Sequence, residues 1–184
     1  VYLPGPPEDG PYPTVVEYSG YNPSEPGSNL LEANAEELKD LVGDDPNALS
    51  PVLPFACNAP AQPSSLLASA MGYAVVAVNV RGTGCSGGAY DFFEPLQGLD
   101  GYDVVETAAR QPWALHHKAG MVGVSYGGIS QLFVGKTRPP SLSAITPLSV
   151  IDNTATTLYP GGYLNTGFAL QWAEDRVDDA KPAS

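Results

Sequence analysis

One five-residue stretch restricts the fold of this chain more than any other feature. Gly123-Val124-Ser125-Tyr126-Gly127 has the pattern Gly-x-Ser-x-Gly, with an apolar segment before it and an amphipathic segment after it. In that context the pattern predicts a sharp turn from a buried strand into a helix, with the serine exposed at the turn. Such a turn crowds the residues two before and two after the serine. We therefore expect both flanking positions to need a small residue.

Apolar runs and helical patterns alternate along the chain. Buried strands are predicted at residues 13–19, 73–80, 119–124 and 143–151. Helices are predicted at residues 33–42, 62–71, 100–110, 125–136 and about 163–179. This alternation predicts the α/β class with a mainly parallel sheet flanked by helices. The loops after the strands would then meet at the carboxyl edge of the sheet, where such folds bind ligands.

Charge and cysteine content limit the partners that we expect. The chain has 20 acidic and 8 basic residues, a net charge of −12, which repels phosphate backbones and anionic membranes. We therefore expect no nucleic-acid and no membrane partner. Cys57 and Cys85 allow either one disulfide of an exported protein or two free thiols of a cytosolic protein, so localisation stays open. No Cys-x-x-Cys or His/Cys cluster accompanies them, and we expect no metal site.

A second glycine-rich motif follows the second predicted strand. Residues 82–87 read Gly-Thr-Gly-Cys-Ser-Gly and match Gly-x-Gly-x-x-Gly, the dinucleotide-binding pattern. That pattern binds a pyrophosphate only when a helix opens on its third glycine. Pro95, Gly98 and Gly101 are expected to interrupt any helix in the stretch that follows. We therefore interpret residues 82–87 as a tight loop at the sheet edge and expect no NAD or FAD cofactor.

Four segments together resemble the CocE/NonD family of serine hydrolases. They are VNVRGTGCSGGAYDFF at 78–93, GYDVVETAARQPW at 101–113, VGVSYGGISQ at 122–131 and PGGYLNTGFALQW at 160–172. The family includes cocaine-esterase-like enzymes, X-Pro dipeptidyl peptidases and α-amino-acid ester hydrolases, and the resemblance covers about residues 1–180. It implies an α/β-hydrolase fold with residues 1–153 in the core. Residues 154–184 would begin a helical cap, although their pattern alone also fits a crossover helix.

The resemblance also implies roles for individual residues. Ser125 would be the nucleophile that becomes acylated, and the backbone N–H of Tyr126 would be one oxyanion donor. The phenolic O–H of Tyr21 would be the second donor. Aromatic residues of the cap would lie over the acyl pocket, and Trp172, Tyr159 and Phe168 are the candidates. The substrate would be a small ester or amide, or a peptide, and no cofactor or metal is implied.

The chain departs from this pattern in its histidines. In α/β-hydrolases the catalytic acid and then the histidine follow the serine along the chain. His116 and His117 both precede Ser125, at the amino end of the third predicted strand and therefore away from the site. Asp152 could serve as an acid, but in the resembled family both partners come after the cap. We therefore expect this chain to be part of a much longer enzyme.

The residues leave open both the type of hydrolase and whether the protein is an enzyme or a binding module. The serine pattern predicts hydrolysis of an ester or amide through an acyl-enzyme, by an esterase, an acylase or an X-Pro dipeptidyl peptidase. A dipeptidyl peptidase would need an anionic group for the substrate's ammonium, and the candidates are Glu17, Glu174 and Asp175. The alternative is a binding module that keeps the α/β-hydrolase fold without the chemistry. The oligomeric state is not predicted.

Overall fold

A parallel sheet forms the centre of the molecule. The computed structural model describes residues 1–21, 23–24, 60–151 and 153–180. Its strands are β1 (Thr14–Ser19), β2 (Ala74–Asn79), β3 (Ala119–Val124) and β4 (Leu142–Leu148). They pair in the order β2-β1-β3-β4, and every pairing between them is parallel. The predicted α/β class is confirmed, and each strand overlaps one of the predicted apolar runs. The helix predicted at residues 33–42 lies outside the described residues.

Helices cover both faces of this sheet. They are α1 (Pro63–Ala70), α2 (Pro95–Ala109), α3 (Tyr126–Lys136), α4 (Thr154–Leu158) and α5 (Phe168–Asp179). The alternating side chains of β1 divide the core between the two faces. Val16 and Tyr18 pack with residues of α2 and α3, whereas Val15 packs with Ala68 of α1. All six residues of β1 are buried, as expected for a strand that is covered on both faces.

Helix α2 begins earlier than the sequence indicates. Pro95 and both of the glycines that were expected to interrupt a helix lie within it, so that expectation is wrong. Pro95 is at the start of the helix, where its missing N–H costs no hydrogen bond. Gly98 and Gly101 lie where α2 approaches α3, and a Cβ on Gly101 would overlap the side chain of Val134. Close helix packing therefore outweighs the low helix propensity of glycine here. Because α2 begins well after Gly87, the glycine loop still does not open onto a helix.

The predicted helix at about 163–179 is shorter in the structure. It corresponds to α5, and α4 and a 3₁₀ turn at Pro160–Gly162 precede it. Asn153 caps α4 by accepting a 2.8 Å hydrogen bond from the backbone N–H of Ala155. The division into a core of residues 1–153 and a cap of residues 154–184 stays a prediction. None of the helices described is both long and apolar enough to cross a membrane.

Candidate active site

Ser125 occupies an unusual backbone conformation between β3 and α3. Its φ is 56° and its ψ is −115°. His116 also has a positive φ, but its φ of 57° and ψ of 16° lie near the left-handed helical region that side chains tolerate. Ser125 lies outside that region, in a conformation that costs about 1–3 kcal/mol for a residue with a Cβ. Hydrogen bonds hold it there, since its N–H donates to Leu148 O at 2.9 Å and its carbonyl accepts from Ile129 N at 2.8 Å.

The crowding predicted around the serine restricts one of the two flanking glycines. Gly123 has a φ of 153°, and an added Cβ would lie 2.6 Å from the carbonyl carbon of Gly127. A Cβ on Gly127 would instead lie at an ordinary 3.4 Å from Glu17 Oε1. Gly128 is restricted as well, because its Cβ would overlap the carbonyl oxygen of Leu148 in β4. The requirement for glycine therefore falls on Gly123 and Gly128, and the sequence pattern gave no sign of the latter.

Tyr21 reaches Ser125 from the loop after β1. Its phenolic oxygen lies 3.2 Å from Ser125 Oγ, within hydrogen-bond distance. Two hydrogen bonds between side chains and the Tyr21 backbone hold this loop in place. Tyr21 N donates to Ser19 Oγ at 3.1 Å, and Gln62 Nε2 donates to Tyr21 O at 2.9 Å. The indole N–H of Trp172 in α5 donates to the same phenolic oxygen at 3.0 Å. Residues far apart in the chain thus converge on one hydroxyl beside Ser125.

Arg176 is a residue of this site that sequence reasoning missed. Its guanidinium carbon lies 4.7 Å from the ring centroid of Tyr21 and 5.7 Å from that of Trp172, distances typical of cation–π contacts. It also forms an ion pair with Asp179 one turn further along α5. The available signal was the spacing of four residues between Trp172 and Arg176, which places both on one helix face.

Tyr126 contributes its backbone and its ring in different places. As the first residue of α3, it has a backbone N–H without an acceptor inside the helix. Its side chain is fully buried, packs on Phe93 at 4.5 Å between ring centroids and donates to Gln97 Oε1 at 3.0 Å. Burial raises the pKa of Tyr126 to about 12. The phenol therefore stays neutral at ordinary pH and acts as part of the core.

A cavity of about 330 Å³ opens beside Ser125. Its lining is mostly apolar and comes from the segment before α2, from α3 and from α4 and α5. Those residues include Phe92, Phe93, Ile129, Ile151, Leu158, Phe168, Ala169 and Trp172. The structure thus brings Phe168 and Trp172 to the cavity, whereas Tyr159 is 53% exposed and does not line it. Two larger grooves, of about 590 and 610 Å³, contain neither Ser125 nor Tyr21.

The carboxylates suggested for binding an ammonium group lie elsewhere. Glu17 is 2% exposed, and its Oε2 accepts hydrogen bonds from the hydroxyls of Ser64 and Ser65. Burial raises the pKa of this carboxyl group, against the opposing effect of the two serines. Glu174 and Asp175 are exposed and, like Glu17, do not line the cavity. Asp91 is the carboxylate found among the described lining residues.

The histidines lie at the opposite edge of the sheet. His116 and His117 belong to a 3₁₀ turn, Leu115–His117, that enters the amino end of β3, whereas Ser125 follows its carboxyl end. His117 Nδ1 is 3.2 Å from the carbonyl oxygen of Ala109. Asp152 and Cys57 lie outside the described residues, and Cys85 is exposed, so the disulfide stays a prediction. The described ranges contain no group of three His, Cys, Asp or Glu side chains that could hold a metal.

The glycine loop after β2 folds onto itself. Gly82 N donates to the carbonyl oxygens of Ser86 and Gly87, at 3.2 and 3.0 Å. The hydroxyl of Ser86 donates to Asn79 O at 2.9 Å, which ties the loop to the end of β2. Because hydrogen bonds within the loop use these backbone groups, the structure agrees with a structural role for the loop.

Comparison with known proteins places the whole chain in one group. Residues 1–184 match the model of the X-Pro dipeptidyl-peptidase (S15) family. A crystal structure of a CocE/NonD family hydrolase from Staphylococcus aureus superimposes with a TM-score of 0.69 and 26% identity. The match covers 96% of this chain and 30% of that hydrolase. Two proteins provisionally named serine esterases, from Mycobacterium bovis and Mycobacterium tuberculosis, are 33% identical over 105 residues. That alignment covers 56% of this chain and 17% of each relative.

Proposed function

The chain belongs to the X-Pro dipeptidyl-peptidase (S15) family of hydrolases, and on that basis we propose that Ser125 is the nucleophile of an ester or amide hydrolase. The observation that carries the proposal is the phenolic oxygen of Tyr21, 3.2 Å from Ser125 Oγ at a strained strand-to-helix turn. A binding module would have no use for a serine held in such a conformation. The parallel sheet and the family membership support the same conclusion.

In the proposed reaction, Ser125 Oγ attacks the carbonyl carbon of the substrate and loses its proton to a base. The carbonyl oxygen becomes an oxyanion, which the Tyr126 N–H and the Tyr21 O–H stabilise. The positive end of the α3 dipole adds to this stabilisation. The alcohol or amine leaves with a proton, and an acyl-enzyme remains. Water then attacks the acyl carbon, which releases the acid and restores the serine.

The base in this scheme does not come from the two histidines of the chain. His116 and His117 lie at the amino end of β3, across the sheet from Ser125. The base and its acid partner would then come from outside the described residues or from another chain. This is consistent with the length of the Staphylococcus hydrolase, of which the chain spans 30%.

The cavity favours an acyl group that is largely apolar. Its aromatic and aliphatic lining removes such a group from water beside Ser125. The family model is described by an X-Pro dipeptidyl peptidase, whereas the mycobacterial relatives are named for esterases. Hydrolysis of p-nitrophenyl esters and of X-Pro p-nitroanilides, measured side by side, would decide between these two activities.

The test of the nucleophile is labelling with a fluorophosphonate, read by intact mass, in the longest protein that carries these 184 residues. We expect one covalent adduct in the wild type and none in Ser125→Ala. Ser86→Ala is the matched control, because Ser86 also lies in a glycine-rich turn after a strand but donates to Asn79 O. It should label like the wild type. A wild type without an adduct would support the non-catalytic alternative, whereas an adduct that survives in Ser125→Ala would show that another residue reacts and that Ser125 is not the nucleophile.

A further inference from the structure

Trp172 makes a hydrogen bond that a residue serving only to line a pocket would not need. Its indole Nε1–H donates to the hydroxyl oxygen of Tyr21 at 3.0 Å, and that oxygen lies 3.2 Å from Ser125 Oγ. We infer that Trp172 is a positioning residue that fixes the direction of the Tyr21 O–H bond. The inference rests on the proposed function of Ser125 and Tyr21, and it gives α5 a part in the chemistry.

The direction follows from what each group can donate. An indole N–H is a donor only, so the Tyr21 oxygen must act as the acceptor in the bond with Trp172. With that side of the oxygen occupied, the hydroxyl hydrogen of Tyr21 is free to point at Ser125 Oγ. Ser125 then accepts this bond, and its own hydrogen is free to reach the base. The same O–H bond of Tyr21 is already aimed when the oxyanion forms beside Ser125.

Loss of the indole N–H would permit the opposite arrangement. The Tyr21 oxygen could then accept a hydrogen bond from Ser125, which holds the proton that the base has to remove. The Tyr21 hydrogen would also be free to rotate towards other acceptors. Both changes lower the share of molecules in which Tyr21 is ready to donate to the oxyanion, so they should act on kcat more than on KM.

The surroundings of Trp172 fix its ring independently of this hydrogen bond. The ring centroid lies 5.1 Å from that of Phe92 and 6.3 Å from that of Tyr126. Arg176, one turn along α5, places its guanidinium over both Tyr21 and Trp172. A phenylalanine at position 172 could keep much of this packing while it removes the N–H. Trp172→Phe therefore separates the hydrogen bond from the aromatic contact.

A double-mutant cycle in the longest protein that carries this chain tests the role. Tyr21→Phe should lower kcat by about 10²–10³-fold, as expected for loss of one oxyanion donor. Trp172→Phe should lower kcat by about 2- to 12-fold, the value of one net hydrogen bond. In the Tyr21→Phe background, the same Trp172→Phe change should lower kcat less than 2-fold, since the phenol that it orients is gone. Trp113→Phe, at the other tryptophan and outside the site, should leave kcat unchanged.

A spectrum of the indole N–H groups tests the hydrogen bond without any need for activity. Trp172→Phe assigns the Trp172 signal, and Trp113 provides an internal reference. In Tyr21→Phe, the Trp172 signal should move and its hydrogen should exchange faster, whereas the Trp113 signal should stay in place. An unmoved Trp172 signal, or equal kcat losses from Trp172→Phe in both backgrounds, would overturn the inference. Equal turnover in Ser125→Ala and in the wild type would instead overturn the proposed function. The spectrum would in that case still test whether Trp172 donates a hydrogen bond to Tyr21.

Discussion

Two glycine-rich turns stand at the carboxyl edge of the sheet, after β2 and after β3, and they place backbone strain on different residues. In the loop at residues 82–88, positive φ falls on Gly82, Gly84 and Gly88, for which it costs little. In the turn after β3 it also falls on Ser125, which has a side chain. A loop that only has to reverse the chain can leave such conformations to glycine. Under the proposed function, the strained conformation of Ser125 is explained by the position that its hydroxyl has to take.

The two turns also contribute differently to the cavity. The first turn leads directly into Phe92 and Phe93, which line the cavity and pack on Trp172 and Tyr126. Its support is an ion pair, in which Arg81 binds both carboxylate oxygens of Asp100. The second turn presents Ser125 itself. The segment that follows the first turn therefore builds part of the cavity wall, and under the proposed function the second turn supplies the reacting group.

The largest expected effects come from adding a methyl group at the crowded glycine of each turn. A Cβ would lie 2.6 Å from Gly127 C in Gly123→Ala and 2.7 Å from Ala89 C in Gly82→Ala, and both positions have positive φ. Strain and overpacking together should lower the free energy of unfolding by about 3 kcal/mol or more, measured by urea denaturation.

Each of these variants has a matched control in its own turn. Gly127→Ala and Gly87→Ala meet ordinary contacts or open space, and they should change the free energy of unfolding by less than about 1 kcal/mol. If Gly123→Ala lowered the free energy of unfolding as little as Gly127→Ala, the close approach of the Gly123 and Gly127 backbones would be contradicted. If Gly82→Ala alone were mild, the first turn would be free to rearrange and the two turns would differ in rigidity.

The sequence was sufficient to predict the secondary-structure elements that depend on a local pattern of residues. The bounds of β3 agree with the predicted 119–124, because a continuous apolar run between a turn and a glycine motif leaves little choice. The start of α2 was missed, since Gly98 and Gly101 oppose a helix unless their contact with α3 is known. The wrong expectation thus arose from a local propensity that tertiary packing outweighs.

The candidate site likewise contains residues that a sequence pattern indicates and residues whose contacts depend on tertiary packing. The Gly-x-Ser-x-Gly pattern predicts Ser125 as the nucleophile from five neighbouring residues, and the family resemblance predicts a role for Tyr21. The contacts of Trp172 and Arg176 with Tyr21 join residues at opposite ends of the chain, and no local pattern indicates them. The packing of Gly128 against Leu148 could not be predicted for the same reason, because it depends on the position of β4 in the sheet. The role of Tyr159 over the acyl pocket stays a prediction.

A buried carboxyl group distinguishes the second turn and gives a pH-dependent test. Glu17 lies beneath Gly127, and burial raises its pKa above the ordinary value of 4.5. The folded protein therefore holds this proton more tightly than the unfolded chain. The stability that the protonated group contributes is present at low pH and is lost as the pH rises from about 4.5 through the raised pKa.

Glu17→Gln removes this titration and keeps an acceptor for the hydroxyls of Ser64 and Ser65. As the pH rises above 4.5, the free energy of unfolding of the variant should therefore increase relative to that of the wild type. Denaturation at a series of pH values measures this difference. Parallel curves for the two proteins would mean that Glu17 is not desolvated. The second turn would then lack the buried charge that sets it apart from the first.

The smallest expected effect concerns the ion pair that supports the first turn. Arg81 Nε and Nη2 lie 2.6 and 2.7 Å from the Asp100 carboxylate oxygens, but the two side chains are 25% and 35% exposed. Solvent and salt weaken exposed pairs, so Asp100→Asn should lower Tm by no more than about 4 °C, and less in 1 M salt.

The same variant tests whether the first turn takes part in the chemistry. If that turn only supports the wall of the cavity, Asp100→Asn should leave the rate of fluorophosphonate labelling at Ser125 within about twofold of the wild type, since a weakened surface pair leaves the turn after β3 in place. A tenfold slower rate at unchanged Tm would contradict this division of roles. Phe92 and Phe93 would then have to set the position of Trp172, and through its indole N–H that of Tyr21. The glycine loop after β2 would in that case act on the oxyanion donor as well as on the cavity wall.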